Sequence, residues 1–396
     1  MHPPLSPEGT FPSPVKRDRG RGIETFGAYI PPRLLHVRNA MQPDADLAAW
    51  IKLSLVPGLG GQSLRKLLGA FGLPQQVLAA GRGALTRVVS AELAARILSE
   101  EGAAAVEAAL AWAAAEDHAI LTLADADYPQ PLLETPDPPA LLYLRGRREL
   151  LARPGLAIVG SRNATPQGER NAEQFARAFS AAGLTIVSGL ALGIDAAAHR
   201  GGLEAAGSTI AVLGTGADIL YPQRNRALGE RIAREGLILS EFPLGTPPHA
   251  GNFPRRNRVI SGLARGCLVV EAALASGSLI TARLAAEQGR EVFALPGSIH
   301  SPHAKGCHAL IKQGAKLVES AQDLLQELGM QAQPASPAAA PAATGLLAQL
   351  GDDSCDIDTL CARSGLTADV VSAMLLQLEL DGKVASLPGG LYQRTS

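Results

Sequence analysis

The first regular pattern along the chain is helical. From Asp46 to about Glu116, apolar residues recur at spacings of three and four, which is the period of a helix with one buried face. Two runs show this period most clearly: Leu47, Trp50, Ile51 and Leu55, then Leu64, Leu67, Leu68 and Phe71. The spacing predicts several short helices that form a small N-terminal domain.

A glycine-rich turn separates these two runs. Residues 56–61 read VPGLGG, a form that resembles a helix-hairpin-helix module, in which backbone N–H groups can hold a phosphate. The alternative is an ordinary tight turn in a SAM-like or helix-hairpin-helix-like domain. It is favoured because only Lys52, Arg65 and Lys66 supply positive charge nearby.

The pattern changes at Leu156, where short apolar runs begin to alternate with segments of helical period. Near-continuous apolar runs are typical of strands buried on both faces. Six runs are predicted as strands: 156–159, 184–187, 209–213, 237–239, 268–270 and 292–295. This alternation predicts an α/β fold, a Rossmann-like doubly wound parallel sheet whose ligands collect at the carboxyl ends of the strands.

The remaining segments have distinct compositions. Residues 1–40 are proline-rich without an apolar period, which predicts a disordered extension and leaves Met41 as a candidate start. Residues 331–345 have the uncharged Ala, Pro, Gln and Ser composition of a linker. The tail predicts a C-terminal winged helix. The predicted parts are an extension over 1–40, a helical domain over 41–117, a Rossmann-like domain over 118–330, a linker over 331–345 and a winged helix over 346–396.

Composition limits the class of protein. With 396 residues and 46% hydrophobic content, the chain is long enough for two or three packed domains, so disorder throughout is excluded. Four cysteines are too few for a disulfide scaffold, and the sequence opens without the pattern of a signal peptide. Uninterrupted apolar runs stay below the roughly 18 residues that a membrane span needs. We therefore expect a soluble, cytoplasmic protein with no membrane partner.

Motifs for nucleotide cofactors are missing. Residues 160–168 read GSRNATPQG where a dinucleotide-binding protein has GxGxxG, and the second strand ends in Ser188 and Gly189 without an acidic residue. A P-loop sequence is also absent. We expect no cofactor and no nucleotide hydrolysis.

Two other clusters contain side chains that could form a chemical site. A metal site at His300, His303, Cys307 and His308 is disfavoured, because the cluster lies in a loop without a partner motif, and we expect no metal. Asp195 and His199 share a helix face and could form an acid/base pair. A structural role is favoured for them, because no nucleophile accompanies the pair, and we expect no catalytic residue.

The loops of the sheet instead supply small residues beside arginines. Gly160 and Ser161 let backbone N–H groups approach an anion near the following helix, and Arg162 adds a guanidinium suited to phosphate. A second cluster follows an aromatic residue and consists of Phe253, Arg255, Arg256, Asn257 and Arg258.

The net charge of −1 hides a local excess of positive charge. From Gly251 to Lys316 there are nine Arg or Lys against three acids, which is the charge pattern of a polyanion site. The nine bases are Arg255, Arg256, Arg258, Arg265, Arg283, Arg290, Lys305, Lys312 and Lys316. About a third of them are expected to pair with carboxylates instead.

Six motifs in order resemble the DprA/Smf family of DNA-processing proteins. They are AIVGSR at 157–162, SGLALGIDAAAH at 188–199, YPQRN at 221–225, FPRRNRVISGL at 253–263, EAALASGSLITA at 271–282 and ALPG at 294–297. The resemblance covers the whole predicted sheet domain, and the flanking helical and winged-helix segments also fit that family. Leu192 departs from the family, since many members have a basic residue there, and His308 stands where asparagine is common.

The resemblance implies a mediator and not an enzyme. Such a protein binds single-stranded DNA, self-associates as a homodimer, and loads the RecA recombinase onto strands coated by single-strand-binding protein during natural transformation. Carried over by motif, the DNA contacts would be Arg162, Arg224, residues 253–258 and Lys305.

An enzyme is the alternative class. Nucleotide-cleaving phosphoribohydrolases have related sheets with Gly/Ser-rich phosphate loops, but they carry a PGGxGT motif with a nearby catalytic acid. Here residues 275–279 read ASGSL, and Glu271 precedes them alone.

The predicted winged helix is acidic. From Asp352 to Lys383 it has seven acids and two bases, and a recognition helix with this balance is repelled by phosphate. Its second helix, 368–380, is expected to bury five apolar residues and to leave Asp369 and Glu379 in solvent. The five are Val370, Val371, Met374, Leu375 and Leu378. A protein partner, or a role as a lid over the basic domain, suits such a module better than DNA.

Overall fold

The computed structural model describes residues 43–330, 345–351 and 353–395, which form two compact units, 43–330 and 345–395. The predictions of a disordered extension over 1–40, a start at Met41 and a linker over 331–345 fall almost entirely outside the described residues.

The first unit begins with the predicted helices. Six helices precede the sheet: α1 (Pro43–Leu55), α2 (Gly61–Phe71), α3 (Pro74–Ala79), α4 (Arg82–Leu85), α5 (Ala91–Ile97) and α6 (Ala103–Ala113). The apolar faces read from the sequence are inside, since Trp50, Ile51, Leu64 and Leu67 are buried. Their hydrophobic core is continuous with that of the sheet, so the two parts fold as one compact unit.

A nine-stranded sheet forms the centre of this unit. Its strands are β1 (His118–Thr122), β2 (Leu141–Gly146), β3 (Gly155–Val159), β4 (Thr185–Ser188), β5 (Thr209–Val212), β6 (Leu237–Ser240), β7 (Ala264–Val269), β8 (Glu291–Ala294) and β9 (Lys316–Leu317). The order is β1-β2-β6-β5-β4-β3-β7-β8-β9. The strands from β6 to β9 in this order are parallel, while β1 and β2 add an antiparallel edge that the sequence did not predict.

Helices connect the parallel strands. They are α8 (Pro166–Ala181), α9 (Ile194–Gly202), α10 (Arg226–Glu235), α11 (Asn252–Gly262), α12 (Ser278–Glu287) and α13 (Lys305–Lys312), with a short α7 (Gln130–Leu133) before β2 and α14 (Ala321–Glu327) after β9. Each of the six predicted strands is present, and β3, β4 and β5 are buried along their whole length. The predicted doubly wound α/β fold is confirmed. Its strand order reverses at β3, so the crevice between the loops after β3 and β7 is the usual ligand position of this topology.

The second unit is a small winged helix with its own core. It contains α15 (Leu346–Leu350), β10 (Cys355–Asp356), α16 (Ile357–Ser364), α17 (Ala368–Leu380), β11 (Val384–Leu387) and β12 (Leu391–Arg394). Helix α17 buries Val371 and Leu375 as predicted, but Val370 is exposed, so its predicted burial was wrong. Leu376 and Leu380 are exposed as well, which gives this helix an apolar outer side.

Within the described residues, none of the helices is both long and apolar enough to cross a membrane alone. Helices α16 and α17 meet that test of length and composition only when taken together, across a bend of 107°.

Candidate nucleic-acid interface

Two loops of the sheet and the start of α11 bring two aromatic rings and an arginine together. Phe253, in the first turn of α11, packs on the backbone at Gly214, where a β-carbon would lie 2.8 Å from its ring. The Phe253 and Tyr221 ring centroids are 5.8 Å apart, and the guanidinium carbon of Arg162 lies 5.8 Å from the Phe253 centroid. Arg162 and Phe253 were predicted as site residues from different motifs, and the fold makes them neighbours.

Arg224 lies close to this group along the chain. It is exposed in a 3₁₀ turn, Gln223–Asn225, that starts two residues after Tyr221. Arg162, Tyr221 and Phe253 with Arg224 are called the aromatic–arginine cluster below. The side chains of the cluster include the planar rings on which unpaired bases stack and the guanidinium groups that bind phosphate.

The three arginines of α11 lie on different faces of the helix and differ in exposure. Arg255 is exposed, with 57% of its side chain accessible, and it lies over the ring of Phe242 at 5.3 Å while it donates to Glu241 at 3.2 Å. Arg258 is 15% accessible and donates to Glu241 and to the carbonyl of Asp137. Burial raises the pKa of Glu241, and the charges of Arg258 and Arg255 oppose this shift.

Arg256 differs from both neighbours because it points into the protein. Arg256 is only 4% exposed. Its Nη1 donates to the carbonyl of Gly189 at 2.7 Å and to the carbonyl of Val212. Burial lowers the pKa of Arg256 to about 10, so the guanidinium stays charged at neutral pH. The expectation that Arg256 contacts DNA is therefore corrected to an internal role. Asn257, also predicted, is half-buried.

Carboxylates neutralise more of the basic residues than expected. Among the nine bases from Gly251 to Lys316, those paired with carboxylates are Arg255, Arg258, Arg290 and Lys316. This exceeds the expected third, because Glu241, Glu134 and Glu327, which pair with these bases, come from segments outside the counted range.

Lys305 lies apart from the aromatic–arginine cluster. It is exposed at the start of α13, after β8, and its amine donates to the carbonyl of Ile299. Strand β8 is two strands from β3, on the side away from β4 and β5. Lys305 lines an apolar groove of about 600 Å³ with Leu274, Ile299, Ile311 and Leu317.

The anion position at the start of α8 is filled by the protein itself. Glu271, which follows β7, accepts hydrogen bonds from the backbone N–H of Thr165 at 2.9 Å and from its hydroxyl at 2.7 Å. This carboxylate occupies the helix end in the crevice where strand order reverses, the place of a nucleotide phosphate in related folds. The expected approach of an anion to Gly160 and Ser161 must be revised, since Glu271 already fills this helix end, and both residues are half-buried.

Asp195 and His199 bind backbone groups. The Asp195 carboxylate accepts from the N–H of Gly189 at 3.1 Å, and His199 Nε2 accepts from the N–H of Leu190 at 3.2 Å. The Thr209 hydroxyl donates to a backbone carbonyl, so it must accept from His199 Nδ1–H, 2.7 Å away. These contacts support the structural role over the acid/base pair.

The histidine and cysteine cluster has ordinary structural contacts. Cys307 is buried, and burial raises the pKa of its thiol to about 12, so the thiol stays protonated. His308 bonds the carbonyl of Gly297 at 3.0 Å. In the part of the chain that the structure describes, three or more His, Cys, Asp and Glu side chains nowhere come together as a metal site.

Sequence reasoning missed three residues of this region. Tyr221 was part of the YPQRN motif, and an aromatic ring three residues before a candidate phosphate-binding arginine was a usable signal. Glu241 and Glu271 had no such signal, because their partners are distant in sequence, up to 106 residues for Glu271 and Thr165.

Comparisons with known proteins agree with this description. The sequence model of the family described as DNA recombination-mediator protein A matches residues 119–329, and that of the DprA winged helix domain matches residues 330–390. The chain is 38% identical over 395 residues to protein Smf of Synechocystis, covering 89% of this chain and 99% of that protein. It is 44% identical over 298 residues to protein Smf of Escherichia coli, covering 72% and 80%.

A solved structure is similar as well. The X-ray structure of DNA processing protein A from Streptococcus pneumoniae aligns with a TM-score of 0.63 at 39% identity, over 71% of this chain and 97% of that chain.

His199 gives a pH prediction. Burial, with a smaller effect of Arg256, lowers the pKa of His199 from 6.5 to about 3, so only the unfolded state takes up its proton between these values. The stability that His199 contributes is full above pH 6.5 and is lost as the pH falls toward 3, with a slope of up to about 1.4 kcal/mol per pH unit. The free energy of unfolding, measured with urea between pH 7.5 and pH 5, should depend less steeply on pH in His199→Gln than in the wild type. The difference in slope should correspond to at most one proton.

The control for this prediction is His300→Gln, at an exposed histidine, which should keep the wild-type slope. An unchanged slope in folded His199→Gln would contradict the assignment of a neutral buried imidazole.

Proposed function

The chain belongs to the DprA/Smf family of DNA recombination-mediator proteins, and on that premise we propose that it binds single-stranded DNA and is not an enzyme. The observation that carries this proposal is the aromatic–arginine cluster, at the carboxyl ends of β3 and β5 and the start of α11. Unpaired bases stack on aromatic faces, and guanidinium groups bind backbone phosphates whatever the base sequence of the strand.

Among the predicted contacts, the exposed ones are assigned to the DNA backbone. Arg162, Arg224 and Arg255 are exposed, and Arg255 reaches the surface although one of its nitrogens is paired with Glu241. Arg258 contributes less, because most of its guanidinium is covered and bonded to Glu241. Gly160, Ser161 and Asn257 are assigned to the support of these side chains, and Lys305 to a separate part of the surface.

The further steps are proposed from the family. A protein that binds single strands without sequence preference can protect them and present them to a recombinase. We assign to this chain the loading of RecA onto strands coated by single-strand-binding protein, during natural transformation in the cytoplasm.

The alternative, a nucleotide-cleaving enzyme, is disfavoured by the contacts of Glu271. A phosphoribohydrolase needs a free phosphate loop and a free acid beside it. Here both oxygens of Glu271 accept hydrogen bonds from Thr165 at the helix end where the phosphate would bind. Release of free base from nucleoside monophosphates would support the enzyme instead.

Self-association is assigned to the apolar groove beside β9. Leu274, Ile299 and Leu317 are exposed there, and β9 is the edge strand of the sheet. Exposed leucine and isoleucine around a groove on an edge strand are typical of a protein–protein contact. A second copy of the chain is the proposed partner, which makes a homodimer.

The first test concerns Arg162. Arg162→Ala should weaken single-strand binding about tenfold, because a charge-assisted contact to phosphate is lost. The slope of log affinity against log salt concentration should fall by about 0.7, the value for one contact. Arg162→Lys should not restore the affinity if the contact is bidentate.

Arg265→Ala is the matched control, since Arg265 is exposed near the amino end of β7 and should affect neither quantity. Wild-type affinity and slope in folded Arg162→Ala would refute the site.

A second test concerns Tyr221, which is 44% exposed and packs against the ring of Phe253. Tyr221→Ala should cost about 1–3 kcal/mol of binding to a strand with bases, because one stacking surface is removed. It should cost little with an abasic strand of equal length, and Tyr221→Phe should bind normally. Equal losses on both strands would show that the ring does not stack on a base.

A third test concerns the apolar groove. Leu317→Glu should convert a dimer to a monomer in sedimentation equilibrium, since a charge would be buried in the contact. Leu98→Glu, at an exposed leucine of the helical region, should remain dimeric. A dimeric Leu317→Glu protein would place the contact elsewhere.

The winged helix is proposed not to hold DNA. Its acids repel phosphate, and Val370, Leu376 and Leu380 on α17 present an apolar surface of the kind that binds protein. Truncation after Gln333 should leave single-strand affinity unchanged or slightly higher. A large loss in protein that keeps its normal oligomeric state would show that this unit touches DNA.

A further inference from the structure

We propose that four buried side chains form a clamp that fixes the segment Gly189–Ala191 and thereby positions Arg162 for the DNA strand. The clamp consists of Asp195, His199, Asn225 and Arg256. These are positioning residues, since all four are buried and none needs to touch DNA. The inference rests on the proposed function, because it concerns how the single-strand site is held in shape.

The segment leaves β4 and cannot use the sheet to satisfy its peptide groups. The N–H groups of Gly189 and Ala191 donate to the Asp195 carboxylate, at 3.1 and 3.4 Å. The N–H of Leu190 donates to His199 Nε2 at 3.2 Å. Each N–H of the segment therefore has a side-chain acceptor from α9.

The carbonyl groups are matched in the same way. The carbonyl of Gly189 accepts from Arg256 at 2.7 Å. The carbonyls of Leu190 and Ala191 both accept from the Asn225 amide, at 2.9 and 3.0 Å. Every backbone polar atom of the three residues is thus bonded to the clamp, although buried loop carbonyls ordinarily rely on backbone or water.

The backbone conformation of the segment also requires support. Leu190 has φ of +58°, in the left-handed region, which is unfavourable for a residue with a β-carbon. Such a conformation persists only when surrounding contacts determine it. The Leu190 side chain is fully buried as well, so packing also holds the segment in place.

The residues just after the segment, Gly193 and Ile194, rest directly on the chain that carries Arg162. Gly193 has φ of +72°, and a β-carbon there would lie 2.4 Å from the carbonyl oxygen of Ser161. The N–H of Ile194 donates to this same oxygen at 3.2 Å. Displacement of the segment would therefore move the peptide between Ser161 and Arg162.

Arg256 extends the clamp to the next strand. It donates to the carbonyl of Val212, at the end of β5, as well as to Gly189 after β4. Gly214, two residues after Val212, is the support on which the Phe253 ring packs. One buried guanidinium thus fixes both loops that flank the aromatic–arginine cluster.

The test uses Asn225, because its removal changes no charge. Asn225→Ala leaves two carbonyls without a donor and should weaken single-strand binding about tenfold. The salt slope should also fall by about one phosphate contact, although no cation has been removed. Gln223→Ala, an exposed amide in the same 3₁₀ turn, is the matched control and should bind as wild type.

A double-mutant cycle with Arg162→Ala separates positioning from stability. If Asn225 acts through Arg162, Asn225→Ala should have little further effect in the Arg162→Ala background. Additive losses would overturn the proposal, and so would an Asn225→Ala protein that melts earlier yet binds with wild-type affinity and slope.

Two further outcomes are informative. If Arg162→Ala alone binds as wild type, the proposed DNA site fails, and the clamp fails with it; if only Asn225→Ala is silent, the DNA site stands and the clamp fails. Should Asn225→Ala not fold, Asn225→Ser keeps one hydroxyl donor and enters the same cycle, with an intermediate loss expected and wild-type binding contradicting the proposal.

Discussion

The need to satisfy buried peptide groups just beyond β4 determines the shape of the candidate site. A strand that ends inside the protein leaves N–H and carbonyl groups that the sheet no longer bonds, and each costs free energy if it stays unpaired. In this chain side chains from α9, α11 and a 3₁₀ turn supply all the partners of Gly189–Ala191. The loop after β5 is bonded to that segment through Asn225, and the loop after β3 rests on Gly193 and Ile194 just beyond it, so the positions of Arg162 and Phe253 depend on this region.

Charge in the first unit is divided between internal and external tasks. Arg256 is used inside, where Asp195 and carbonyl oxygens surround it, while Arg162, Arg224 and Arg255 remain at the surface. Two acidic residues lie at the same carboxyl edge of the sheet. Glu241 pairs with Arg258, and Glu271 occupies the position where related folds bind a nucleotide phosphate. The carboxyl ends of the strands therefore offer phosphate contacts on the protein surface, whereas Glu271 already occupies the helix end in the crevice, and this suits a chain of phosphates better than a mononucleotide.

Much of the fold could be predicted from the sequence, because buried parallel strands leave continuous apolar runs and their helices keep a regular period. The aromatic–arginine cluster was partly predictable for the same reason. Arg162 follows strand β3, which has a continuous apolar run, and Phe253 lies in the first turn of helix α11. The division of α11 was missed, although a signal existed. Arg256 lies three and four residues before the buried Val259 and Ile260, which places it on the inner face of the helix. The predicted burial of Val370 was wrong for a similar reason, since that residue was placed on the wrong face of α17. The contacts of Glu241 and Glu271 join segments that only the tertiary fold brings together, so no local pattern could reveal them.

Hydrogen exchange of the free protein tests the central claim most directly, since it reports whether the site is formed before DNA arrives. If the buried side chains hold the site ready, the amides of Gly189, Leu190 and Ala191 should exchange as slowly as those of β4, with little change when a single strand is added. Fast exchange of these three amides in the free protein, comparable to that of the exposed residues 249–251 and slowed only by DNA, would contradict a site held ready by buried side chains.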